Sequence, residues 1–162
     1  MPATSRIRPR PGDVIEVKTP KGLAFAQFTH KDAVHGALLR VLPGLHATRP
    51  SDFTPLVMQR ELFLVFFPLG AACNRKLVAV VAEEELPVRC RKFPTFRHGF
   101  ADADGTVAVW TLWNGKREWR VTKLSAEEEQ LPLLPSTWND TLLIQRIAEG
   151  WRPSEANMAR RG

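Results

Sequence analysis

The hydrophobic positions of this chain fall into short runs punctuated by glycine and proline, and the runs predict strands. Val14 to Lys18 and Leu23 to His30, joined by Thr19-Pro20-Lys21-Gly22, predict an opening hairpin. After a short connection, Lys31 to His35, the run Gly36 to Leu42 predicts a third strand stopped by Pro43-Gly44. Leu45 to Arg60 contains Pro50 and Pro55 and reads as a long loop, in which Ser51-Asp52 caps one short helical turn before Gln59. Glu61 to Phe67 is apolar without alternation, the pattern of a strand buried on both faces, and predicts the centre of the fold. Pro68 to Lys76 reads as a turn or a single helical turn. The Val-rich run Leu77 to Ala82 predicts a strand paired with the central one.

Glu83 to Gly105 is irregular in composition and is expected to wrap the surface, with Pro87, Pro94 and a β-turn at Asp102-Ala103-Asp104-Gly105. The sharpest local signal comes next: Asn114-Gly115 lies between two Trp-bearing runs, the pattern of a hairpin closed by a type I′ turn. That turn pairs Trp113 with Lys116, Leu112 with Arg117, Thr111 with Glu118 and Trp110 with Trp119. Alternation then places Trp110, Leu112, Arg117, Trp119 and Val121 on a core face, and Thr111, Trp113, Lys116, Glu118 and Arg120 on the other. Ser125 with Glu128 matches a capping box for a short helix ended by Pro132. Asn139 is the N-cap of a final helix carrying Leu143, Ile144, Ile147 and Trp151, with Gly150 at its end and Pro153 beyond; Trp138 and Leu143 form its hydrophobic staple. The elements together predict a mainly β fold, a single antiparallel twisted sheet or partly open barrel with one C-terminal α-helix packed on it.

Length and composition agree with one β-rich domain over residues 12–153, flanked by a flexible basic Pro/Arg-rich arm (1–11) and a flexible basic tail (154–162). Nine Phe and five Trp among 162 residues supply the core, and the absence of Tyr argues against a Tyr-rich binding surface. Cys73 and Cys90 are too few and too far apart for a zinc ribbon or a disulfide scaffold, so they read as reduced thiols. No signal-like apolar region follows the arm, and the longest apolar run, Leu62 to Leu69, is too short to span a membrane; the expected compartment is the cytoplasm. The net charge of +6 is concentrated at the ends. Arg6, Arg8 and Arg10 face no acid in the first ten residues, and Arg152, Arg160 and Arg161 face only Glu155 in the tail, which leaves the body near neutral.

Candidate chemistry is sparse. The four histidines lack the spacing of a metal site, and only His30, Asp32 and His35 lie close enough in sequence to suggest a small hydrolytic cluster. Asp102-Ala-Asp104-Gly105 lacks the distal Glu of a calcium loop, and the runs Glu83–Glu85 and Glu127–Glu129 read as solvated element ends. No nucleophile elbow or P-loop is present, so no catalytic residue, metal or cofactor is predicted and an enzyme is disfavoured. The polar face of the hairpin, Trp113 amid Lys116, Glu118 and Arg120, has the composition of a protein-binding hot spot. A second candidate is Arg89, Arg91, Lys92 and Arg97 interleaved with Phe93 and Phe96, which suits single-stranded nucleic acid.

With the opening strand Gly12-Asp-Val-Ile-Glu-Val17, the hairpin Trp110 to Trp119 and the closing helix after Trp138-Asn-Asp140 in view, the chain resembles the immunity protein 26 family of bacterial polymorphic toxin systems. The resemblance runs from Gly12 to about Pro153. It implies a β-rich, non-enzymatic protein that neutralises a cognate toxin by occluding it inside the producing cell, and it carries no catalytic residue. The Pro/Arg-rich arm and the long Arg89 to Gly105 connection depart from that family's pattern.

Overall fold

A computed structural model describes residues 6–154; the first five residues of the basic arm, and residues 155–162 of the tail with Arg160 and Arg161, lie outside the described residues. The fold is mainly β, antiparallel and open, with a C-terminal helix. Its strands divide between two sheets and two compact units, where the sequence predicts one sheet. The first unit combines the chain up to Arg91 with Ser136–Arg152, and the second is built mainly from Lys92–Pro135. The first break falls in the strand-free segment between Glu83 and Phe96 that holds Pro87 and Pro94.

In the first unit, β1 (Asp13–Thr19), β2 (Gly22–Asp32), β3 (Gly36–Val41), β4 (Phe63–Phe67) and β5 (Ala79–Glu83) lie in the order β4-β3-β2-β1-β5. The opening hairpin and the third strand stand where the hydrophobic pattern puts them. β4 and β5 do not: they sit at opposite edges and never pair. β4 continues the antiparallel meander from β3, Pro68 ends it, and helix α2 (Leu69–Asn74) precedes the return to β5, which pairs with β1. The unbroken apolar run of β4 is explained by a covered edge, since Phe66 bridges to Thr137 and accepts a 2.9 Å hydrogen bond from the Trp138 N–H. β5, although Val-rich, is largely exposed.

Both faces of the five-stranded sheet are covered. On one, Ile15, Val17, Ala26, Phe28, Leu39, Val41, Val65 and Phe67 pack with α2 and with Leu143 of helix α3 (Asp140–Glu149). Asn139 caps α3 by accepting from Leu142 N at 2.8 Å, Gly150 ends it at φ +74°, and the staple residues Trp138 and Leu143 are both buried in this core. The opposite face carries Val14, Phe25 and Leu42 under Phe53, Leu56 and Val57 of the 45–60 segment, where Asp52 accepts from Thr54 N and helix α1 (Thr54–Met58) forms the expected single turn. The described part of the N-terminal arm is tied down, with Ile7 and the Asn74 side chain exchanging hydrogen bonds of 3.0 and 2.9 Å.

The second unit is a three-stranded sheet in the order β6-β7-β8, with β6 at Phe96–His98, β7 at Trp110–Trp113 and β8 at Glu118–Val121. β6 corrects the expectation that residues 83–105 only wrap the surface, because Phe96 is wholly buried and pairs with Trp113. Trp110, Leu112 and Leu124 form this unit's core with Val107, Val121, Leu131 and Leu133. Asp102 to Gly105 forms the predicted turn, closed by Gly105 N donating to Asp102 O with Gly105 at φ +86°, and Ser125 and Glu128 exchange the two bonds of a capping box over a single 3-10 turn. No described helix is long and apolar enough to cross a membrane.

Candidate partner-binding surface

The β7–β8 hairpin turns one position later than the sequence predicts. Trp113 lies opposite Glu118, Leu112 opposite Trp119, Thr111 opposite Arg120 and Trp110 opposite Val121. A type I′ turn needs positive φ at two successive residues, and here only Gly115 has it, at +91°. Asn114 instead uses its side chain, whose Oδ1 accepts from Lys116 N at 3.0 Å and Arg117 N at 2.8 Å, so the turn centres on Gly115-Lys116. Gly115 is also needed sterically, because a Cβ there would lie 2.8 Å from the Phe93 ring. The register moves by two residues, an even number, so every side chain keeps its predicted face.

The burial of Trp119 departs from expectation. Trp119, expected in the core opposite Trp110, is 38% exposed on the edge strand β8. Trp113 is half-buried and held by two rings: Phe93 meets it edge-on at 5.4 Å and Phe96 lies stacked at 6.1 Å. Around it, Lys116, Glu118 and Arg120 are exposed, and among the described residues none of the three belongs to an ion pair. The register thus puts Trp113, Glu118 and Arg120 on one face of the hairpin, with Lys116 in the turn at its end.

Apart from Lys92, the residues of the nucleic-acid candidate have internal partners. Arg89 binds both Glu61 oxygens, at 3.1 and 2.8 Å, and the Gln59 carbonyl at 3.1 Å. Arg91 donates to Leu86 O at 3.1 Å. In the second unit Arg97 is buried over the Trp110 ring, 4.9 Å from its centroid, and donates to Leu131 O, while Phe96 is buried and Phe93 braces Trp113. Lys92 is exposed.

The histidine candidate divides in the same way. Asp32 and His35 meet, His35 Nδ1 donating to Asp32 Oδ2 at 2.8 Å, and that oxygen also accepts from the backbone of Val34 and His35. Burial opposes ionisation of Asp32, but these bonds outweigh it and hold the carboxyl below its ordinary value. The arrangement is a turn lock, with the His35 ring stacked on Phe66 at 4.8 Å. His30 is directed to the Arg91 carbonyl at 2.9 Å, and among the described residues no three His, Cys, Asp or Glu side chains are grouped to hold a metal. Burial pushes the Cys73 and Cys90 thiols up, away from the thiolate a nucleophile requires.

Sequence reasoning missed a buried polar network on the loop-covered face of the large sheet. Arg40, with no exposed surface, donates to Gln27 Oε1 at 2.8 Å, Val57 O at 3.0 Å, Gln59 O at 2.7 Å and Glu61 Oε2 at 3.4 Å. Gln27 donates to the Gly12 and Glu84 carbonyls, and Glu16, also buried, receives Arg49 through two bonds. Burial opposes ionisation of Glu61, yet the Arg89 hydrogen bond, its own backbone N–H and the charges of Arg40 and Arg89 prevail and hold the carboxyl low. The network joins the 45–61 segment to the sheet through its carbonyls. A lone Arg within Ala37-Leu-Leu-Arg-Val-Leu42 is the signal that could have found it.

No family model matches the chain, and neither the curated proteins nor the solved structures provide a match.

Proposed function

We propose that the chain is a non-catalytic binding protein whose partner surface is the polar face of the β7–β8 hairpin. The observation that carries this reading is the contrast in commitment: Lys116, Glu118 and Arg120 are exposed and in no described ion pair, whereas Arg40, Glu61 and Arg89 are tied to internal partners. Trp113 adds an anchor that is already ordered by Phe93 and Phe96, which lowers the entropic cost of docking. Mixed charge around a fixed Trp suits a protein partner, because it provides orientation and a central hot spot together. Following the resemblance to the immunity protein 26 family, the partner is a cognate polymorphic toxin, occluded in the cytoplasm of the cell that makes it.

Single-stranded nucleic acid is the weaker reading, since Arg89 and Arg97 have internal partners. Inspection of the neighbouring reading frames for a toxin domain, and co-expression with the domain found there, test the proposal. Wild-type protein is expected to restore growth and to co-purify with the toxin, and K116E/R120E is expected to lose both. Growth that the wild type fails to restore, or that the variant restores equally, would reject it. Binding to an oligonucleotide that falls steeply with salt would favour the nucleic-acid reading instead.

A further inference from the structure

β8 has one neighbour in its sheet, β7, and among the described residues no bridge covers its other side. The opposite edge of the same sheet is protected: Arg97 of β6 bridges to Leu133, its N–H donates to Pro132 O at 2.9 Å, and its carbonyl accepts from Leu134 N at 2.9 Å. An open strand edge presents N–H and C=O groups that another strand can take up.

The groups that face outward follow from the register. Asn114 N donates to Arg117 O at 3.2 Å, which makes these two a hydrogen-bonded pair. Antiparallel ladders alternate such pairs with non-bonded ones, so Leu112 and Trp119, two steps on, are bonded as well. Trp119 therefore directs its backbone to β7, and Glu118 and Arg120 direct theirs to the open edge. An antiparallel strand added there must bond through those two residues.

We propose that this strand is the β8 of a second copy of the chain, paired about a two-fold axis at Trp119. Three symmetric registers have their axis within Glu118 to Arg120, where the two outward-facing residues lie. Centring on Glu118 sets two carboxylates opposite each other, and centring on Arg120 sets two guanidinium groups opposite each other; both are repulsive. Centring on Trp119 sets Glu118 of each copy opposite Arg120 of the other, twice on one face, and Trp119 opposite its counterpart on the other face. Charge complementarity selects this register, and it is isologous, as a two-fold contact must be. It joins two three-stranded sheets into one of six. Four residues make a short edge, so association is weak, with Kd of roughly 10–100 µM. The pairing engages Glu118 and Arg120, which the proposed partner face also uses, so self-association is measured with no other molecule present.

Sedimentation equilibrium of the whole chain, without any toxin, from about 5 to about 300 µM tests it. The wild-type mass is expected to rise from 18.3 kDa toward twice that value. E118R alone and R120E alone should each stay at the monomer mass, because each places like charges across the axis. An equimolar mixture of the two variants should associate, since every cross-strand pair is then Arg with Glu, and E118R/R120E should associate as the wild type does. A wild type that stays monomeric over the range would overturn the proposal. So would single variants that associate unchanged, or a mixture that fails to recover association.

Discussion

The loop-covered face of the five-stranded sheet and the β8 strand of the three-stranded sheet both carry charge of both signs, but they use it in opposite ways. On the first, Glu16, Gln27, Arg40 and Glu61 meet partners inside the same unit, and the partners include backbone carbonyls that no regular strand would satisfy. A segment of this length without a sheet of its own leaves polar backbone groups to satisfy, and the buried side chains answer that need. On β8, Glu118 and Arg120 lie in the open and have no described ion pair. Charge on the first region holds the chain together, and charge on the second is left for another molecule. Burial combined with hydrogen-bond partners separates the two cases; residue type does not.

The largest effect expected is that of Arg40→Ala. It strands the Gln27 oxygen and the Val57 carbonyl in a dry site, while Glu61 and the Gln59 carbonyl keep Arg89. Two unsatisfied buried acceptors and the cavity left by the side chain together cost about 3–5 kcal/mol, which a urea midpoint would report. A loss under about 1 kcal/mol would mean that the network is passive and the comparison fails. Gly115→Ala comes next, at about 1–3 kcal/mol, because it adds a Cβ against Phe93 and forces a positive φ on a residue that resists it. Loss of near-ultraviolet circular dichroism from the Trp cluster would locate the damage.

A smaller effect sharpens the role of Glu61. Its carboxyl is held below the ordinary value of 4.5, so in the folded state it favours ionisation. The stability it contributes is therefore present above that pH and lost as pH falls below it. Glu61→Gln is expected to flatten the decline of the urea midpoint below pH 4.5 while lowering stability at neutral pH. An acid limb identical to that of the wild type would show that Glu61 is not the group responsible.

Much of the fold was legible because it is written locally. The opening hairpin, the third strand, the Asn139 cap and the Ser125–Glu128 box each depend on residues within a few positions of one another. The division of hairpin faces was legible too, since it depends on the parity of the register. The register itself was misread, because the same Asn-Gly pair can serve as the two central turn residues or, as here, can place Asn114 one step earlier with its side chain as acceptor. The partners of β4 and β5 were hidden, since an apolar strand gives no sign of which edge it occupies. In the site, Lys116, Glu118 and Arg120 stood out by composition, but the bracing of Trp113 needs Phe93, twenty residues earlier and within a segment read as irregular. Arg40 escaped notice because Glu61 and Gln59 reach it from about twenty positions away.

Urea unfolding of R120E beside R40A, at low micromolar concentration, tests most directly whether charge on β8 is uncommitted to the fold. R120E is expected to unfold within about 0.5 kcal/mol of the wild type, as an exposed substitution without internal partners should, and R40A at least about 3 kcal/mol lower. A loss in R120E matching that in R40A would make Arg120 a structural charge like Arg40, and would contradict the assignment of β8 to a partner.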